Sequence, residues 1–200
     1  MDTLSEALRY GEAGLHVIPI RARSKRPAIR TGPAHTDAAT TDPLIIYDWF
    51  ADRPDWNVAI VCTPSKLVVI DIDGPEGEVS LTKLTDMYGD PPATWEAETA
   101  NGRHLLYRWP TNHPIPTFSA DTKLDIRGAG SYIVAPPSTH PTGHIYRWTA
   151  TGGPIPDAPR WLTDRRGSTA VTSLARSGSR DRTFTAMVTT EMLESVLARF

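Results

Sequence analysis

Cysteine is almost absent from this chain: Cys62 stands alone among 200 residues. An internal disulfide and a multi-cysteine zinc site are therefore excluded. No uninterrupted apolar run approaches the roughly 20 residues a membrane-spanning helix needs, and the mean hydropathy is -0.32. The opening Met1–Glu6 has no basic stretch followed by an apolar one, so no secretory leader is expected. Together these absences lead to the expectation of a cytoplasmic protein. Disorder is excluded for most of the chain, because 40% hydrophobic and 22% charged residues is ordinary globular usage.

The net charge of -2 conceals segregation along the chain. Arg21, Arg23, Lys25, Arg26 and Arg30 fall in one stretch without an acid. Residues 160–182 hold six arginines against Asp164 and Asp181. Between Asp71 and Glu98 lie eight acids and a single base, Lys83. Such a pattern places cation-attracting and phosphate-attracting surfaces on one molecule, although separate solvated faces explain the charges equally simply.

Thr3-x-x-Glu6 reads as a capping box before a helix that Gly14 ends. Leu15–Ile20 reads as a strand, residues 21–41 as a long basic loop, and Asp42-Pro43 as the start of a helix carrying Trp49 and Phe50. Asn57–Cys62 and Leu67–Asp73 are β-rich runs around Thr-Pro-Ser-Lys, a hairpin signal. Residues 79–89 suggest a helix closed by Gly89. Thr94–Thr99 and His104–Trp109 flank Ala-Asn-Gly as a second hairpin. Lys123–Ile126, Tyr132–Val134 and Ile145–Trp148 are short strands, and residues 183–200 recover helical spacing after a Gly/Pro- and Arg/Ser-rich passage. Many short strands with few helices predict an α+β fold rather than a doubly wound sheet. The expected division is a domain over 1–163, a linker over 164–182, and a helix over 183–200. Because Phe200 ends that helix without a cap, the natural protein is expected to continue.

Three clusters carry chemistry. Asp71 and Asp73 end a buried run, and positions i and i+2 of a strand share one face with Cα atoms about 6.5–7 Å apart. Two such carboxylates repel unless a cation joins them, and hard oxygen ligands suit Mg²⁺ or Mn²⁺. Taken alone, Asp73-Gly74-Pro75 reads more simply as a turn capped by Asp71. Gly102-Arg103-His104 opens the next strand; Gly102 permits close approach, and Arg103 or His104 can donate to a phosphate. Taken alone it is a turn with a solvated histidine. Leu124-Asp125-Ile126-Arg127-Gly128-Ala129-Gly130 supplies a third acid and a glycine pair suited either to a tight hairpin or to a nucleotide.

The order of these clusters resembles the bifunctional DNA primase/polymerase domain of the archaeo-eukaryotic primase superfamily, common in phages and plasmids. The resemblance runs from about residue 5 to residue 150. It includes Gly14-x-x-Val17-x-Pro19, Lys25-x-Pro27, Ala39-Thr40-Thr41-Asp42, the helix ending in Trp49, and Asn57-Val-Ala-Ile. It continues through Ile70-Asp-x-Asp73-Gly74, Asn101-Gly-Arg-His-Leu and Tyr132-x-Val134-x-Pro136-Pro137-Ser138-x-His140-x-x-Gly143. The resemblance implies mainly antiparallel sheets around a central cleft with flanking helices. It implies that Asp71, Asp73 and Asp125 bind two Mg²⁺ or Mn²⁺ ions. His104, in the small-x-His motif, would be a catalytic contact to the triphosphate, with Gly102, Arg103, Arg127 and Lys25 also binding the nucleotide.

The basic residues Arg21, Arg23, Arg26, Arg30, Arg165 and Arg166 would then track single-stranded DNA. Trp56, Tyr107 and Trp109 read as core residues. The implied partners are template, primer, NTPs or dNTPs and a C-terminal helicase domain, with no membrane, in the cytoplasm of a bacterial host. Two departures from the family stand out: no structural zinc is expected, and Gly102 replaces a frequent serine. Two other readings remain, a non-catalytic nucleic-acid-binding replication module and an Asp-x-Asp metal-dependent glycosyltransferase.

Overall fold

In the computed structural model, which describes residues 2–33, 35–110 and 114–163, the chain forms two antiparallel sheets whose inner faces share one core. Helix α1 (Thr3–Glu12) starts on Asp2, whose carboxylate accepts from the Ser5 N–H at 2.8 Å. The cap therefore lies one residue before the predicted Thr3, because Glu6, its expected reciprocal partner, turns to Arg9 at 2.6 Å. Asp42 caps α2 (Pro43–Phe50) as predicted, accepting from the Leu44 N–H at 2.9 Å. Strands β1 (Val17–Ile20), β2 (Asn57–Val61) and β8 (Tyr132–Ala135) form the smaller sheet in the order β1-β2-β8. The larger sheet uses β3 (Leu67–Asp73), β4 (Trp95–Glu98), β5 (Gly102–Arg108), β6 (Phe118–Asp121), β7 (Leu124–Arg127) and β9 (Arg147–Ala150). Its order is β6-β7-β3-β5-β4-β9.

Burial explains the layering. Val17, Val58, Ile60 and Ile133 of the small sheet pack with Leu67, Val69, Trp95 and Leu106 of the large one, and α1 and α2 close this core through Ala7, Tyr10, Ile46 and Phe50. The outer face of the large sheet packs Val68, Ile70, Ile72, Leu105 and Ile126 under Leu81 and Leu84 of α4 (Gly74–Tyr88) and Trp161 of α5 (Arg160–Thr163). Tyr107 and Trp109 belong to that outer core, as expected of them.

Three further sequence expectations are corrected, and one of two open readings is decided. The runs 57–62 and 67–73 do not form a hairpin: the one-turn helix α3 (Cys62–Ser65) carries the chain from the small sheet to the large one. Gly128–Gly130 is likewise not a tight hairpin but the return crossing from β7 to β8. The two crossings are bonded together, Cys62 N–H to Ser131 O at 2.9 Å and Gly130 N–H to the Thr63 hydroxyl at 2.9 Å. Helix α4 begins at Gly74, directly on the end of β3, rather than at residue 79. The last strand is Arg147–Ala150, displaced from the expected Ile145–Trp148, because Ile145 instead bridges to Thr139. The passage 164–182 and the helix expected over 183–200 lie outside the described residues.

Candidate active site

Strand alternation builds the site. On β3, Leu67 and Val69 point between the sheets, while Val68, Ile70 and Ile72 point toward α4. Asp71 and Asp73 continue the first stripe beyond the end of the core, into an open cleft of about 400 Å³ between the two sheets. Neither acid serves the turn that the sequence allowed. Asp73 precedes α4 but makes no side-chain capping bond, and it forms no ion pair among the described residues.

The neighbouring strands bring the other predicted groups to Asp71. His104 of β5 lies directly opposite it on one side and Asp125 of β7 on the other. The His104 Nε2 stands 3.2 Å from Asp71 Oδ1. The Arg127 guanidinium donates from Nε to Asp71 Oδ2 at 3.0 Å and from Nη2 to Asp125 Oδ2 at 2.8 Å. Burial alone would raise the Asp71 carboxyl; its hydrogen bond and charge contact with His104, reinforced by Arg127, override this and hold it down at about 2. The second ring nitrogen of His104, Nδ1, is buried without a partner.

The cleft walls join loops far apart in sequence. Asn57 pins two of them: its amide donates to Ser24 O at 3.1 Å and to Thr139 O at 2.8 Å, and accepts from the Thr139 N–H at 2.8 Å. The Tyr132 hydroxyl donates to Lys25 O at 2.8 Å. The buried Ser138 hydroxyl donates to Val58 O at 3.1 Å and accepts from the Val58 N–H at 3.0 Å. These bonds bring Lys25 and His140 to the cleft. Arg21, Arg23, Arg26 and Arg30 are exposed on the loop around Lys25, which a bridge between Ile20 and Pro27 ties to the end of β1. Arg165 and Arg166 lie outside the described residues.

Two of the expected phosphate contacts have other employment. Arg103 alternates with His104 and so faces α4, away from the cleft. There it donates to Glu78 at 2.7 Å and to Glu96 at 2.9 Å, and the Glu78 hydrogen bond raises its pKa further. Gly102 serves packing: a Cβ there would lie 1.9 Å from the Ile72 carbonyl oxygen. Conversely, the sequence assigned no site role to His35, Tyr132, His140 or Tyr146, although Tyr132 and His140 stand in the quoted motif, and all four line the cleft. Tyr146 lies between His104 and His140, with ring centroids 6.4 and 6.2 Å away. Burial, then the Asp71 and Asp73 charges, push its phenol up to about 12, which keeps it a neutral donor.

Among the described residues, no three His, Cys, Asp or Glu side chains are grouped around one cation position. At Asp71 and Asp125 the Arg127 guanidinium joins the two carboxylates. The donor chemistry nevertheless fits a hard divalent cation: Asp71 and Asp73 share a face of the cleft, and Asp125 adjoins them.

Over residues 7–161 the chain matches the family described as bifunctional DNA primase/polymerase, N-terminal, a span running from α1 into α5. It belongs to that family. The α+β architecture with mostly antiparallel sheets accords with a primase-like fold, and membership assigns the chain to the DNA primase/polymerases, nucleotidyltransferases of DNA replication. No curated protein matches it. Among the described residues no helix is long and apolar enough to cross a membrane.

Proposed function

We propose that the cleft performs template-directed nucleotidyl transfer, as a DNA primase, a DNA polymerase or both, in phage or plasmid replication within the bacterial cytoplasm. The observation that carries this reading is the Asp71–Asp73 pair, which faces the cleft beside His104 in a chain matching the family over residues 7–161. Asp71, Asp73 and Asp125 would hold Mg²⁺ or Mn²⁺. Two such ions supply Lewis-acid activation of a 3′-hydroxyl and neutralise charge on the departing pyrophosphate. In the reaction, the 3′-oxygen bonds to the α-phosphorus, the α–β phosphoanhydride bond breaks, and the hydroxyl proton passes to solvent.

His104, held against Asp71 at 3.2 Å on the cleft wall, would meet the triphosphate as a ring N–H donor to phosphate oxygen. Lys25 and Arg127 add positive charge along the same wall. Tyr146, neutral at working pH, donates its hydroxyl without repelling the substrate. Arg103, paired with Glu78 and Glu96 on the opposite face, takes no part in nucleotide contact, and Gly102, which has no room for a side chain, could offer only its backbone. Arg21, Arg23, Arg26 and Arg30, exposed near Lys25, attract the template backbone. A helicase domain joined C-terminally would feed single-stranded template to the cleft.

The test is nucleotide incorporation on single-stranded DNA, with and without primer, using labelled ribo- and deoxynucleotides. Changing Asp71→Ala and Asp73→Ala together should abolish incorporation while circular dichroism stays that of the parent. Incorporation by that double variant at the parent rate would remove both acids from the reaction. The primer-free arm separates priming from extension.

A further inference from the structure

Asp71 and Asp125 lie directly opposite each other on adjacent strands, where like charges destabilise a sheet. A single guanidinium resolves the conflict, with Arg127 Nε on Asp71 and Nη2 on Asp125 at 3.0 and 2.8 Å. The planar fork of arginine suits such a bridge, and a lysine ammonium does not reproduce it. The bridge is not sealed in: the Arg127 and Asp125 side chains are 35% and 37% exposed. Arg127 also lines the cleft, so the same side chain reaches the acids and the space in front of them.

We propose that Arg127 is a displaceable internal cation: in the cation-free protein it holds Asp71 and Asp125 together, and it gives them up when a divalent ion binds. This inference rests on the reading of the acids as cation ligands. The released guanidinium remains at the cleft wall and turns to the phosphates of the incoming nucleotide. Arg127 therefore competes with the ion in the empty protein and cooperates with it once nucleotide is present. By linkage, ion and nucleoside triphosphate each strengthen binding of the other. Arg127 is a positioning residue for the acids before the ion arrives.

The experiment is a titration of the 200-residue chain with Mn²⁺, free ion being read by electron paramagnetic resonance, first without nucleotide. Arg127→Gln removes the competing charge while keeping a polar side chain, and should bind Mn²⁺ about tenfold more tightly than the parent, the worth of one charge-assisted contact. Arg160→Gln, the same charge change at an exposed site on α5, should bind as the parent does. With a non-hydrolysable nucleoside triphosphate present, the Arg127→Gln advantage should shrink or reverse. Equal or weaker Mn²⁺ binding by Arg127→Gln beside a parent that binds the ion would overturn the displacement and leave the cation site standing. Absence of Mn²⁺ binding in both proteins would overturn the displacement together with the cation reading. If Arg127→Gln does not fold, Arg127→Lys carries the test: it keeps the charge but loses the fork, and an affinity unchanged from the parent would refute the proposal.

Discussion

Restoring the serine that the family often carries at position 102 should damage this protein rather than improve it. Gly102 opens β5 opposite Asp73. A Cβ at this position would lie 1.9 Å from the Ile72 carbonyl oxygen, 2.9 Å from the Ile72 carbonyl carbon and 3.0 Å from the Gly74 nitrogen. All three are main-chain atoms, so no side-chain rotation relieves the clash. To admit the new carbon, the ends of β3 and β5 must part. That strains the Gly74 N–H to Asn101 O bond at 2.6 Å and the Thr99 N–H to Gly102 O bond at 2.8 Å. Overpacking of this kind costs about 1–3 kcal/mol, and each disturbed hydrogen bond adds about 1 kcal/mol. For a domain of this size, a loss of about 3 kcal/mol lowers the melting temperature by roughly 6–12 °C. Thermal and urea unfolding of Gly102→Ala and Gly102→Ser measure the loss directly. Because Asp73 sits at the parted end, nucleotide affinity should fall in both variants, the added hydroxyl notwithstanding. A Gly102→Ser protein that melts with the parent and binds nucleotide more tightly would refute the steric argument.

Asp71 predicts a pH window. Its carboxyl is lowered from 3.8 to about 2 in the folded protein, so its contribution is fully present above pH 3.8 and is lost as pH falls toward 2. The shift corresponds to about 2 kcal/mol. The stability of the parent relative to Asp71→Asn, measured by urea unfolding in metal-free buffer, should narrow by about that amount between pH 5 and pH 2; a constant difference would contradict the ion-pair assignment. Asn57→Ala removes three hydrogen bonds between the Ser24 and Thr139 segments, at a cost of about 2–3 kcal/mol. Since Asn57 positions Lys25 and His140 without touching the acids, the nucleotide KM in primer extension should rise more than kcat falls. Parental stability with an unchanged KM would count against the pinning role.

Local regularities in the sequence disclosed most elements, whereas the pairing between distant segments was hidden. The β-branched run before Asp71 marks a strand, and spacing by two places Asp71 and Asp73 on one face. The same rule separates Arg103 from His104, which cannot face the cleft together; parity was the signal that assigns Arg103 to Glu78 and Glu96. The Thr63-Pro64 punctuation looks alike whether its flanking strands pair or enter different sheets, so the hairpin expectation failed on information that only long-range packing supplies. The adjacency of Asp71, His104 and Asp125 is of that second kind. Periodicity does not contain it, and only the resemblance to the primase/polymerase family pointed there. Gly102 and Gly128 were visible as glycines, but their reason is a carbonyl oxygen from another segment, about 2 Å from where a Cβ would stand: that of Ile72 in one case and of Ile115 in the other.

The position of the acids follows from how the two sheets meet. Residues of β3 that point inward are apolar only while the small sheet covers them, as Leu67 and Val69 are covered. The bonded crossings at Cys62–Ser65 and Gly128–Ser131 mark where the chain passes between the sheets. Past Val69 the inward stripe opens onto the cleft, which Asp71 and Asp73 line. Carboxylates can occupy it there without displacing core, at Asp71 with the help of His104 and Arg127 to offset desolvation. One face of one strand thus serves two solvents in succession, oil for its first half and the polar cleft for its second. A one-residue slip of β3 would undo both together, turning Leu67 and Val69 out of the core and the acids toward α4.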